Sequence, residues 1–187
     1  MSRPPTPFIP LLEHTGARAG PVGRLEARAL LRAGGVLRLE YALSADLASL
    51  RIPAAMPDAG RAERLWEHTC FEAFVAQDDS PAYLELNFSP SGQWAVYGFA
   101  SYRAAMAPAE LAEVPRIQVR RGEGRLEVQA ALPLSLPAKR LRLALCAVME
   151  DLQGGLSYWA LRHPPGRPDF HHRDGFSLTL DGTTESA

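Results

Sequence analysis

The residues best suited to chemistry lie between positions 65 and 99. The segment Tyr83-Leu84-Glu85-Leu86-Asn87-Phe88 is followed by Ser89-Pro90-Ser91-Gly92 and then by Gln93-Trp94-Ala95-Val96-Tyr97-Gly98-Phe99. The middle quartet suits a type I turn with glycine in the left-handed position, which makes the two flanks a hairpin. With Ser89 facing Gln93, Phe88 falls opposite Trp94, Leu86 opposite Val96 and Leu84 opposite Gly98. That face is apolar and belongs to a core. The other face carries Tyr83, Glu85, Asn87, Gln93, Tyr97 and Phe99. Flat rings suit the C–H faces of a sugar, and amides and carboxylates suit its hydroxyls. Such a face is either a ligand platform or a solvated outer surface.

The preceding run, residues 65–75, extends the pattern. Read as a strand, it sends Leu65, Thr69, Phe71, Ala73 and Val75 to the core. Trp66, His68, Cys70, Glu72 and Phe74 then join the polar and aromatic face. A bulge would invert part of this assignment.

A second concentration of reactive types is His163 through Asp174, which holds three of the five histidines. On a strand, His171 and His172 would point to opposite faces and could not share a metal. Pro164, Pro165 and Pro168 stiffen the segment. It reads as a structural loop, with a share in a small-molecule site for His163 and His171 as the alternative, and no metal site is assigned. Enzymatic signatures are absent: no GxSxG elbow, no Walker loop and no GxGxxG after a strand. Carboxylate pairs such as Glu67/Glu72 and Glu150/Asp151 exist, but a glycosidase needs its two acids across a cleft. The expectation is a protein that is not an enzyme.

The elements that must hold these residues are short strands. The chain has 187 residues, 47% of them hydrophobic, with a formal net charge of −1. That suffices for one folded domain and offers no positive excess for nucleic acid. The expected domain spans residues 20–182, with 1–19 as a tail or edge segment and 183–187 as a second tail. Runs at 24–31, 36–43, 65–76, 83–89, 93–99, 117–121, 125–131, 141–149, 158–162 and 176–180 are separated by glycine and proline turns. Residues 101–113 read as one helical turn or a loop. Nine or ten such strands predict an all-β, antiparallel sandwich of jelly-roll or immunoglobulin-like type. Cys70 and Cys146 lie in apolar runs and read as buried free thiols, with a disulfide as the alternative. No apolar leader and no run of about 18 apolar residues is present, so the expectation is a cytoplasmic protein without a membrane span.

The stretch 65–75, the hairpin 83–94 and the segment 158–172 together resemble the small bacterial DOMON-like proteins, within the superfamily of DOMON domains and family 9 carbohydrate-binding modules. The resemblance covers roughly residues 20–182 and implies an antiparallel β-sandwich. In the sugar-binding members two tryptophans sandwich a terminal sugar, and a glutamate six residues after the first bonds its hydroxyls. Trp66 and Glu72 stand at that spacing, and Trp159 is the candidate second wall. Asn87, Gln93 and Arg162 are candidates for the amide and arginine partners, and Tyr97 for a ring of the platform. Haem-binding members use methionine with histidine or lysine; Met56, Met106, Met149, the histidines and Lys139 fall on no recognisable ligand motif. The implied function is a non-catalytic module for a saccharide or similar small molecule. The alternative is a domain whose exposed sheet face binds a protein partner.

Overall fold

A computed structural model of the chain describes residues 6–15, 20–78, 80–134 and 140–181. Lys139 lies outside the described residues. Two antiparallel sheets pack face to face. The first contains β1 (Ile9–Pro10), β3 (Val22–Arg32), β4 (Val36–Ala45), β10 (Arg125–Pro133) and β9 (Arg116–Gly122), in that spatial order. The second runs β2 (Leu12–Glu13), β12 (Leu156–Ala160), β11 (Arg140–Glu150), β5 (Cys70–Gln77), β6 (Tyr83–Phe88), β7 (Trp94–Phe99) and β8 (Ala107–Pro108). A last strand, β13 (Leu178–Asp181), pairs with the first residues of β11. The all-β antiparallel sandwich expected from the strand pattern is therefore the fold. No described helix is long and apolar enough to cross a membrane.

The core fills the space between the sheets. Alternation along β4 and β10 sends Leu37, Leu39, Tyr41, Leu43, Leu126 and Val128 inward. They meet Phe71, Ala73, Val75, Leu86, Phe88 and Val96 from the second sheet. The β6–β7 register is the one the turn chemistry dictates: Phe88 pairs with Trp94, Leu86 with Val96 and Leu84 with Gly98. Gly92 closes this turn at φ 88°, in the left-handed region where side chains are strained. A Cβ there would also come within 3.0 Å of the Ala59 Cβ.

β5 and β11 are buried on both faces, which explains why their sequences run almost continuously apolar. Their outer faces lie beneath the loops at 61–68, 101–106 and 163–177. There Phe74, Tyr83, Phe99, Phe170 and Phe176 form a second cluster. Tyr83 stacks on Phe99 with centroids 4.8 Å apart. The face read as either a ligand platform or a solvated surface is thus a covered layer, because loop side chains bury its rings. Both cysteines lie in this cluster as buried free thiols.

Several local expectations are corrected. Residues 65–67 form a 3-10 turn, and β5 begins only at Cys70. Arg64, at φ 58°, swings the chain out of extended geometry just before it. Leu65 consequently packs in the outer cluster rather than between the sheets. His68 turns away, its Nδ1 lying 2.8 Å from Glu150. For residues 101–113, read as one helical turn or a loop, the loop is the outcome, and it carries β8.

Candidate functional site

A cavity of about 550 Å³ opens on the outer face of the second sheet. Its floor is set by strand alternation. Glu72 and Phe74 come from β5, Glu85 from β6, Phe99 from β7, Val148 from β11 and Tyr158 from β12. The pairings Phe74–Glu85, Cys146–Glu72 and Val148–Tyr158 place them on one face. The rim comes from loops: Trp66 and Glu67 from the 3-10 turn, Arg103 and Met106 from one loop, Pro168, Phe170 and His171 from another. The volume falls in the range of small-molecule sites, and rings dominate the wall.

Glu72 is the most unusual group. It is 2% exposed, and its Oε1 is buried with no hydrogen-bond partner among the described residues. Burial, reinforced by the nearby charge of Glu85, holds its carboxyl well above the usual glutamate range. The backbone beneath it is pinned from the core side, where the fully buried Tyr41 hydroxyl donates to the Glu72 carbonyl at 2.6 Å. Glu85 is better satisfied: Asn87 Nδ2 donates to its Oε1 at 2.8 Å. Burial still raises its carboxyl, opposed by that bond and by the Arg103 charge.

A polar clamp closes one side. Asp169 accepts from the Tyr102 hydroxyl at 2.6 Å, from Arg103 Nη2 at 2.8 Å and from the His171 amide at 3.1 Å. Burial raises the Asp169 carboxyl, but these bonds outweigh it and the net shift is downward. The Arg103 amide donates to the Tyr83 hydroxyl at 3.1 Å. The same hydroxyl is hydrogen-bonded to His171 Nδ1 at 2.8 Å. The other ring nitrogen, Nε2, lies 3.7 Å from Glu85 Oε2, too far for a hydrogen bond. Burial first, and the Arg103 charge second, lower the His171 pKa to about 4, so the ring is neutral at pH 7.

Of the residues singled out in the sequence, Trp66, Glu72 and His171 meet in this cavity. Tyr97 stands behind Trp66, edge to face at 5.6 Å, and supports it. Asn87 is fully buried and acts through Glu85. Gln93 stays at the hairpin turn, accepting from Ser91 Oγ at 3.1 Å. Arg162 is exposed and does not line the cavity.

Two expectations are overturned. Trp159 is not a second wall: it packs in the core between the sheets, its indole N–H donating to Ser157 Oγ at 3.0 Å. Successive residues of a strand face opposite ways, and β12 shows Tyr158 to the cavity instead. His163 lies outside the site, bound through Nε2 to the Leu12 carbonyl at 2.8 Å and edge-on to His14. Of the methionines named for haem, Met149 is in the core and Met56 is half exposed away from the cavity, while Met106 lines it together with His171. Among the described residues no three His, Cys, Asp or Glu side chains gather around a metal position.

Tyr158, Arg103 and Phe170 escaped the sequence reading, and Met106 entered it only among the methionines considered for haem. The pattern Tyr158-Trp159 left open which ring faces outward, and loop residues carry no periodicity that would place them.

No protein-family model and no curated protein matches the sequence. Solved structures do. A candidate carbohydrate-binding protein from Bacteroides uniformis is similar at a TM-score of 0.70 with 20% identity, over 95% of this chain and 86% of that one. A family 9 carbohydrate-binding module from Caldicellulosiruptor kristjanssonii in complex with glucose gives 0.51 at 8% identity, over 95% and 87%. The module from the same organism with cellotriose gives 0.56 at 9%, over 96% and 84%. The chain shares the β-sandwich fold of these structures. At these identities the likeness is one of architecture, and the chemistry of the site must be argued from its own residues.

Proposed function

We propose that this chain is a non-catalytic binding module that takes a saccharide or similar polyhydroxylated small molecule in the cavity above β5, β6 and β12. The observation that carries the reading is the buried Glu72 carboxyl, unpartnered and facing a ring-lined cavity. Leaving a polar atom buried without a partner costs roughly 1–3 kcal/mol, so a ligand that satisfies it gains that much. Trp66 and Tyr158 supply faces for stacking. Glu72, Glu85, Nε2 of His171 and the free donors of Arg103 supply a mixed set of acceptors and donors. The three similar folds, described as carbohydrate-binding or seen with glucose or cellotriose, support a sugar as the ligand class.

A binding role suits the placement of the acids. Glu72 and Glu85 come from neighbouring strands and share one wall. Hydrolysis of a glycosidic bond calls for acids on opposite sides of the ring.

Titration calorimetry against mono- and oligosaccharides tests the reading. Binding should weaken by about tenfold or more in Trp66→Ala and in Glu72→Gln, equivalent to at least ~1.4 kcal/mol, with the fold retained. Binding that both variants leave untouched would place the ligand elsewhere and sink the assignment.

A further inference from the structure

We propose that the cavity selects polyhydroxylated ligands that carry a protonated amine, such as amino sugars, with the ammonium seated between Glu72 and Glu85 against the aromatic wall. The inference rests on the saccharide reading above and narrows its ligand class.

Charges and donors surround Glu72 unevenly. From β6 it faces Glu85 and Asn87, and the Asn87 amide is spent on Glu85 at 2.8 Å. From β5 itself come the Cys70 thiol and Phe74; from β11, the Cys146 thiol and Val148. Farther along the same face of β11, Glu150 is held by Arg51 at 3.2 Å and His68 at 2.8 Å. From β12 comes Tyr158, and from the rim Trp66, Glu67, Arg103 and His171. Glu67 is bound by Arg64. Arg64 is thus turned to Glu67, while Arg103, whose charge reaches Glu85, is shared with Asp169. Arg103 gives Nη2 to Asp169 at 2.8 Å, and His171 is hydrogen-bonded to Tyr83 through Nδ1. No donor among the described residues reaches Glu72 Oε1.

A neutral hydroxyl would bring this carboxyl one donor and no charge. An ammonium brings three donors and the opposite charge, and charge-assisted bonds are roughly twice as strong as neutral ones. The walls agree. Trp66, Phe74, Tyr158 and Phe170 line the same cavity, and aromatic faces attract cations. A hydrated divalent ion is a poorer occupant, because it demands several oxygen ligands at fixed geometry. On binding, the ammonium favours the ionised carboxylate, and the proton that Glu72 carried passes to solvent.

The test is calorimetry at about pH 6, where the amine is charged. It compares D-glucosamine, D-glucose and N-acetylglucosamine in two buffers of different ionisation enthalpy. Glucosamine should bind about tenfold or more tightly than glucose, and the acetylated sugar should show no gain. Buffer dependence should reveal proton release with glucosamine in the wild type and none in Glu72→Gln, which should also lose the preference. Glu85→Gln, able to keep the Asn87 bond, should reduce the preference without abolishing it. If glucose or the acetylated sugar binds as well as glucosamine, the amine proposal is overturned and the saccharide reading stands. Failure of all three sugars to bind up to millimolar concentration would overturn both.

Discussion

Two tryptophans of this chain have opposite duties. Trp159 fills the space between the sheets, whereas Trp66 is half-buried at the cavity rim and braced by Tyr97. Trp159→Ala should cost about 3–5 kcal/mol of stability, as large-to-small core changes do. Trp66→Ala should cost about 1 kcal/mol or less while removing ligand affinity. Urea denaturation of the two variants reads the difference. A Trp66 variant that unfolds as readily as the Trp159 variant would make Trp66 a core residue. Glu72 makes a complementary prediction. Its carboxyl is raised by burial and by Glu85, so ionising it opposes folding. Glu72→Gln should therefore be more stable than the wild type at pH 7, and this gain should vanish toward pH 4. Functional sites commonly retain such groups at a cost in stability.

The strands of the second sheet supply the floor and the loops supply everything adjustable. Arg103 and Ala105 both hold positive φ, at 52° and 53°, on the loop that brings Arg103 and Met106 to the rim. Strained backbone persists where its surroundings determine it, and here Asp169 does so by gripping Tyr102, Arg103 and the His171 amide. Asp169→Ala should loosen both loops together. Hydrogen exchange should rise at 101–106 and 168–172 while β5 and β6 keep their protection, and ligand affinity should fall by about tenfold. Exchange that rises evenly across the second sheet would mean that Asp169 stabilises the domain rather than the rim.

For the molecule as a whole, two buried groups impose opposite pH dependences. The folded chain holds a proton on Glu72 that the unfolded chain releases above about pH 4.5. Its favourable contribution is complete below that pH and is lost as pH rises. His171 falls from 6.5 to about 4, so its contribution is complete above pH 6.5 and is lost as pH drops toward 4. For His171 the effect is on the order of 3 kcal/mol at full extent. Thermal melts from pH 4 to 8 should show the acid-side loss diminished in His171→Gln and the neutral-side loss diminished in Glu72→Gln. If His171→Gln has the wild-type acid profile, the ring is not held neutral by the fold.

Much of this was legible along the chain. Turn chemistry at Ser89–Gly92 set the β6–β7 register, and a shift of one residue would have exposed Leu86 and Phe88, so local pattern sufficed. The same alternation put Glu72, Phe74, Glu85 and Tyr97 on one face. Periodicity has no power, however, to choose between Tyr158 and Trp159, two adjacent rings of similar apolarity. The choice came from packing: Trp159 fills the interior beside β11, and Tyr158 follows outward. Nor could it foretell that the polar face would be roofed, since that depends on loops distant in sequence being drawn together by Asp169 and by the rings of Phe170 and Phe176. The amino-acid order thus determined the sandwich and its inward face, because alternation and turns are local. Long-range contacts decided the cavity, because burial and convergence are properties of chain segments that meet only in the folded molecule.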